Sequence, residues 1–249
     1  MKILVIVQRF DGGGVTRVAL KLGEAFKVLG KEVSFISSSC REYNKIGPCA
    51  ALHNLTYIKP YNVLTLYNIV SKPICDAIRS EQPNVVVAHT GWFAAPLIGC
   101  DIKIPMLIVV HGTYVNELKY IKHHPIYGLE RLRYEVGIKL SHLNEVLALR
   151  TLQKRDNVFI VAVSKKTKEE LIQLGIRETK LYSILNGVDK NIFKPIDKDI
   201  ARTCIQKKLG EAEIIAENAK ILLHVNPGPI KGTHILIKSI ALLRKMLRD

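Results

Sequence analysis

The sequence predicts a doubly wound α/β fold built on a parallel sheet. Three observations carry that reading. Short aliphatic runs, several β-branched and apolar at every position, recur along the chain; longer helical stretches lie between them; and glycines punctuate the ends of two of those stretches. Parallel strands covered on both faces read as continuous apolar runs instead of alternating patterns. On that basis strands are expected at Ile3–Val7, Glu32–Ile36, Asn84–Ala88, Met106–Val110, Val158–Val163 and Leu181–Ile184. Helices are expected at Val15–Leu29, Val63–Ser80, Trp92–Cys100 and Lys165–Leu174, with Gly30 and Gly175 as stops.

Two stretches break the alternation. Tyr114–Arg155 is long and rich in Leu, Tyr and basic residues; it holds one or two helices, with a turn at His123-His124-Pro125. Lys190–Lys220 is polar and charged, and is read as a connection containing a short helix near Ala201–Leu209. After it, Ile221–Val225 reads as a fresh strand, and a loop ending in Lys231-Gly232 leads into the helical stretch Thr233–Arg248. The expected division is a first domain at 1–189, a connection at 190–220, and the first strand and helix of an incomplete second α/β domain at 221–249.

At 48% hydrophobic and 24% charged residues, the composition is that of a globular chain and excludes wholesale disorder. No apolar run approaches the roughly 18 residues of a membrane-spanning helix. Ile3–Val7 is too short for the core of a signal peptide. Five scattered cysteines without a C-x-x-C pair suggest reduced thiols and a cytosolic chain. The net charge of +15 is spread along the chain, so the surface should attract nucleic acid, anionic lipid or phosphorylated metabolites. Nucleic acid is not the expected partner, because no RNP-type aromatic motif, zinc finger or basic block is present. Nor is a bound metal, because H-E-x-x-H and similar spacings are absent.

The chemistry-bearing residues gather at expected strand ends. Asp11-Gly12-Gly13-Gly14 follows the first strand and opens into a helix. Glycines there let the backbone approach a ligand, and the helix start offers free N–H groups and a positive dipole end, which suits a phosphate or sugar hydroxyl. It is not the dinucleotide fingerprint, since G-x-G-x-x-G fails at Arg17. His89 and His111 each follow a strand, where an imidazole can bind a hydroxyl, polarise a phosphate or act as a base. The simpler alternative is a histidine capping strand-end carbonyls. Asn186-Gly187-Val188-Asp189 follows the last strand of the first domain and is either a plain Asn-Gly turn or part of a cleft. Lys231 precedes a helix and is placed to neutralise a diphosphate.

Taken in order, Gly12-Gly13-Gly14, Val87-Ala88-His89-Thr90-Gly91-Trp92, Val109-Val110-His111-Gly112, Ala162-Val163-Ser164 with Glu170-Leu171, and Leu185-Asn186-Gly187-Val188-Asp189 with Phe193 resemble the retaining glycosyltransferases of family 4, of the GT-B fold. The resemblance implies two Rossmann-like domains, the first holding the acceptor and the second, here truncated, the nucleotide-sugar. It implies that Gly12, Gly13 and Gly14 approach the donor diphosphate and acceptor, that His111 contacts the transferred sugar as the catalytic residue, and that Asn186 borders the cleft. His89 joins the same substrate-binding set, and Lys231 matches the family's diphosphate lysine. The family's arginine five residues before that lysine is Asn226 here, which cannot supply a bidentate cationic clamp. The family's pair of glutamates would fall beyond Asp249.

The resemblance thus implies a hexosyltransferase-type enzyme with no tightly bound cofactor, using a UDP-, GDP- or ADP-sugar. The acceptor would be a polysaccharide, a lipid-linked sugar or a glycolipid. The isolated chain should be inactive without a complete second domain, being either a fragment or a subunit that a partner chain completes. The basic surface and the Leu/Tyr-rich 114–155 region suit a cytoplasmic chain attached peripherally to an anionic membrane. The competing readings are a sugar-nucleotide epimerase on the same fold, and a non-catalytic glycan-binding or scaffolding partner of a full-length transferase.

Overall fold

The computed structural model describes residues 1–8, 10, 13–38, 48–51, 71–89, 92–121, 128–209, 221–225 and 231–246. The chain divides into two compact units, Met1–Asn186 and Gly187–Asp249.

In the first unit, seven parallel strands form one sheet in the order β3-β2-β1-β4-β5-β6-β7. They are β1 (Lys2–Ile6), β2 (Glu32–Ser37), β3 (Cys49–Ala51), β4 (Val85–His89), β5 (Met106–Val110), β6 (Val158–Ala162) and β7 (Leu181–Ser183). All six strands expected in this unit are present within a residue or two. β3 is the addition, three residues at the sheet edge with too little pattern to stand out. The helices are α1 (Gly14–Val28), α2 (Ser71–Glu81), α3 (Val115–Tyr120), α4 (Gly128–Leu152) and α5 (Lys165–Gln173), with 3-10 turns at Trp92–Gly99 and Glu178–Lys180. Residues 63–70 of the expected second helix, and the His123-His124-Pro125 turn, lie outside the described residues.

The pleat sorts the core into two layers. Leu4, Ile6, Val86, Ala88, Ile108, Val110, Ile160 and Ala162 face one side, with Ile74 and Ile78 of α2 and Ala148, Leu149 and Leu152 of α4. Val5, Val87, Val109 and Val161 face the other side, with Ala19 of α1. α1 comes close to β2 because Gly23 leaves room for Phe35: a Cβ on Gly23 would sit 2.6 Å from the ring. Gly30 and Gly175, at φ +71° and +82°, end α1 and α5 as expected. In both, the residue after the glycine closes the turn, Lys31 N–H to Phe26 O and Ile176 N–H to Leu171 O, both 3.0 Å. Ser164 caps α5, its Oγ accepting from Thr167 N–H at 3.0 Å.

The cysteines are not all reduced thiols, contrary to the expectation from their spacing. Cys75 and Cys100 are joined as a disulfide with their Cα atoms 5.2 Å apart, and Cys49 is also disulfide-bonded. Sequence spacing did not reveal the first pair because 25 residues separate its members; the packing of α2 against the 3-10 turn brings them together. Cys204 is free and exposed.

The second unit contains α6 (Lys198–Leu209) and α7 (Thr233–Met246). The expected strand Ile221–Val225 forms no ladder, and among the described residues of this unit no hydrophobic side chain is buried. A strand is stabilised by a neighbour's hydrogen bonds, and none is supplied to this segment by the described residues.

Candidate functional site

The strand order reverses at β1. The chain moves outward through β2 and β3, then returns to place β4 on the other flank of β1 and continues to β7. The carboxyl ends of β1 and β4 therefore flank a topological switch point, where open α/β sheets bind ligands. Gly13 lies just past β1 as the N-cap of α1, and Gly14 opens the helix. Among the described residues, a Cβ on Gly14 would meet nothing within 4 Å. Gly12 lies outside the described residues.

β4 and β5 bring the two histidines together. His89 pairs in register with Val109, so His89, Val109 and His111, two residues further on, share one face of the sheet. Their rings stack with centroids 5.2 Å apart at 25°, and His89 Nδ1 lies 2.9 Å from His111 Nε2. His89 is fully buried and His111 partly so. Burial first, then the neighbouring His111, lowers His89 to about 3; burial lowers His111 to about 4. Both rings are neutral at physiological pH.

One hydrogen occupies the space between the two nitrogens, and burial decides who carries it. His89 Nε2 is buried with no partner among the described residues. If His111 were the donor, a neutral His89 would hold its hydrogen on Nε2, an orphaned buried N–H costing about 1–3 kcal/mol. An orphaned lone pair is more readily tolerated. His89 therefore donates from Nδ1 to His111 Nε2, and His111 keeps its own hydrogen on Nδ1. His111 is thereby presented as a neutral N–H donor.

A second layer holds the segment that follows His111. Thr113 Oγ1 donates to Glu170 Oε2 at 2.6 Å and Asn116 Nδ2 to Glu170 Oε1 at 2.9 Å. Tyr114 N–H donates to Glu145 Oε2 at 3.1 Å. Glu145 is wholly buried, its Oε1 has no partner, and desolvation pushes its carboxyl up to about 8. It is mostly protonated at neutral pH. Desolvation also raises the nearby Glu117. Sequence reading assigned no role to these carboxylates. A usable signal was present: at 3.6 residues per turn Glu145 falls among Ser141, Ala148, Leu149 and Leu152, on the apolar face of α4.

Asn186 is not gathered with the histidines. Asn186 is exposed beyond β7, two strands from β5, or about 10 Å at normal strand spacing. Lys231 is exposed in the second unit, just before α7; Asn226 lies outside the described residues. A cavity of about 540 Å³ lies at the opposite end of the sheet, lined by Cys100–Lys103 and Arg155–Asn157 among others. Two of its polar side chains serve the backbone, Arg155 donating to the carbonyls of Leu97, Ile98 and Cys100 and Asn157 to those of Ile102 and Ile104, while Lys103 pairs with Asp101 at 2.9 Å. We therefore place the candidate site at the histidine pair and treat that cavity as structural. Among the described residues there is no group of three His, Cys, Asp or Glu side chains that could hold a metal. None of the described helices is long and apolar enough to cross a membrane.

The family model for Glycosyltransferase Family 4 matches residues 12–191, well over half of the chain. The chain belongs to glycosyltransferase family 4. No curated protein matches it. Among solved structures, it is similar to Alr3699/HepE from Anabaena in complex with UDP and glucose, at TM-score 0.56 and 16% identity, over 84% of this chain and 50% of that one. The sucrose-phosphate synthase of Thermosynechococcus elongatus aligns at TM-score 0.58 and 15% identity, over 82% and 52%. A glycosyltransferase from Rickettsia africae gives 0.52 and 20%, over 83% and 49%. At these identities the likeness is one of fold: a Rossmann-like domain of the GT-B type. This family-4 chain spans about half the length of the solved structures it matches.

Proposed function

We propose that this chain is the acceptor-side part of a retaining, nucleotide-sugar-dependent glycosyltransferase. The observation that carries the proposal is the His89–His111 pair at the carboxyl ends of β4 and β5, β4 being one flank of the switch point. In this reading Gly12, Gly13 and Gly14 bring backbone close to the donor diphosphate, and His111 donates its Nδ1 hydrogen to a hydroxyl of the transferred sugar. His89 acts through His111. In the reaction the bond from the sugar's anomeric carbon to the diphosphate breaks, and the acceptor oxygen bonds to that carbon on the same face. The acceptor's proton passes to the departing diphosphate, so a neutral His111 positions the sugar and removes no proton. Electrostatic stabilisation of the leaving group is the demanding part of such a transfer. Lys231 and the helix after it supply one share, and Asn186 borders the cleft.

The donor is a UDP-, GDP- or ADP-sugar; the UDP bound by Alr3699/HepE makes a uridine donor the first to test. The acceptor is a polysaccharide, a lipid-linked sugar or a glycolipid. With a net charge of +15, the chain sits peripherally on the cytoplasmic face of an anionic membrane.

Calorimetry of this chain with UDP, GDP and ADP sugars and their diphosphates tests the reading. Binding of one nucleotide, weakened at least tenfold by Lys231→Ala, is expected. If no nucleotide binds, a second reading gains ground, favoured by the absence of buried hydrophobic side chains among the described residues of 187–249. The chain would then be a non-catalytic glycan-binding or scaffolding partner of a full-length transferase.

A further inference from the structure

α4 is apolar on two opposite faces, and the fold uses only one of them. Ala148, Leu149 and Leu152 are buried against the sheet layer, and Ile138 is buried on the same side of the helix. On the other side Leu129, Leu132, Val136, Leu143 and Leu147 are 76%, 58%, 46%, 51% and 52% exposed. At 3.6 residues per turn these five fall within an arc of about 60°, roughly opposite the buried face, in a stripe about 27 Å long. Single exposed leucines are ordinary; five on one line mark a surface awaiting contact.

The charge beside the stripe identifies what the contact is. Arg133 borders one edge and Lys139 the other; both are exposed, and neither forms an ion pair among the described residues. The nearest acids lie further round toward the buried side. Glu135 is paired with Arg131 at 2.9 Å, and Glu130 lies beyond Arg133. An apolar stripe edged by cations is the pattern of a helix lying in a lipid interface. In a symmetric pairing of two copies along this stripe, like charges would face each other. We propose that the outer face of α4 is the docking surface for an anionic lipid bilayer, with the five apolar side chains entering the headgroup boundary and Arg133 and Lys139 meeting lipid phosphates. This rests on the peripheral-membrane part of the proposed function and names the surface responsible.

The test is sedimentation of the 249-residue chain with phosphatidylcholine vesicles, with and without phosphatidylglycerol, at low salt. Binding to the phosphatidylglycerol vesicles alone is expected. Arg133→Gln/Lys139→Gln should lower the partition coefficient about thirty-fold, at ~1 kcal/mol for each charge near the surface. Leu132→Gln/Leu143→Gln should lower it at least as much, with an unchanged thermal melt because both side chains are exposed. Lys27→Gln/Lys72→Gln removes the same charge elsewhere and should retain most of the binding. No vesicle binding by the wild type overturns the proposal, as does an equal loss in the Lys27/Lys72 variant. So does a dimer in light scattering that dissociates in Leu132→Gln/Leu143→Gln while vesicles go unbound. Nucleotide calorimetry on the same samples separates the two ideas: retained nucleotide binding without vesicle binding removes this surface and leaves the transferase reading standing.

Discussion

His89 and His111 show how burial turns a common residue into a specified one. A free imidazole exchanges between two neutral tautomers and titrates near pH 6.5. Here the 2.9 Å contact and the unpartnered, buried His89 Nε2 select one tautomer and hold both rings neutral. Nitrogen-15 NMR of the imidazoles should show His111 protonated at Nδ1 at pH 7. His89→Asn keeps a donor near the position of His89 Nδ1 and should preserve that signature, whereas His89→Leu should release it to the other tautomer. An unchanged tautomer in His89→Leu would mean that the pair does not set it. Glu145 gives a pH prediction of definite sign. Its folded carboxyl is raised from 4.5 to about 8, so between those values the folded state holds more protons than the unfolded chain. Its contribution to stability therefore falls as pH rises through that window and levels off above it. Denaturant melts from pH 5 to 8 should show Glu145→Gln gaining on the wild type as pH increases; parallel curves would contradict the burial argument.

Among the elements, the sheet itself was legible because parallel strands advertise themselves as unbroken apolar runs; Met106–Val110 was located to the residue. The glycine stops at Gly30 and Gly175 were legible for a similar reason, since positive φ favours glycine. β3 was not, because three edge residues carry no period. α4 was read only as helical content, because its two apolar faces blur the one-sided pattern that identifies an amphipathic helix. The Cys75–Cys100 link was hidden because it joins α2 to the end of the 3-10 turn across 25 residues. A loop of that length implies about 3.5 kcal/mol of stabilisation by constraint of the unfolded chain. Cys75→Ser/Cys100→Ser should accordingly lower the melting temperature by several degrees, and the wild type with reductant should approach the same value after denaturation. A melting temperature unaffected in both cases would show the link to be energetically idle.

Across the whole molecule, stability is unevenly distributed. The first unit has two buried layers around seven strands; the described part of 187–249 has no buried hydrophobic residue, and α7 exposes Ile235, Ile237, Leu242 and Met246. Local opening is easiest where few apolar contacts must break. Amide hydrogen exchange should leave β1, β4, β5 and β6 protected for the longest times, while α6 and α7 exchange early in a separate phase. Protection of α7 equal to that of β5 would show that the second unit is stabilised by contacts beyond those described.

By itself the sequence determined the α/β alternation, the parallel sheet, the glycine stops and the family motifs, because each is a local pattern of side-chain size, backbone freedom and period. It also pointed to His89 and His111, each at the end of its own strand and both able to reach one crevice. Only the tertiary structure decided that the two rings share a hydrogen bond, that Glu145 and Glu170 hold the segment after His111, that Cys75 meets Cys100, and that a second apolar face of α4 is exposed. Those outcomes depend on strand order and layer packing, which bring together residues tens of positions apart. Their physical consequences, desolvation above all, come into being only when the chain has closed around them.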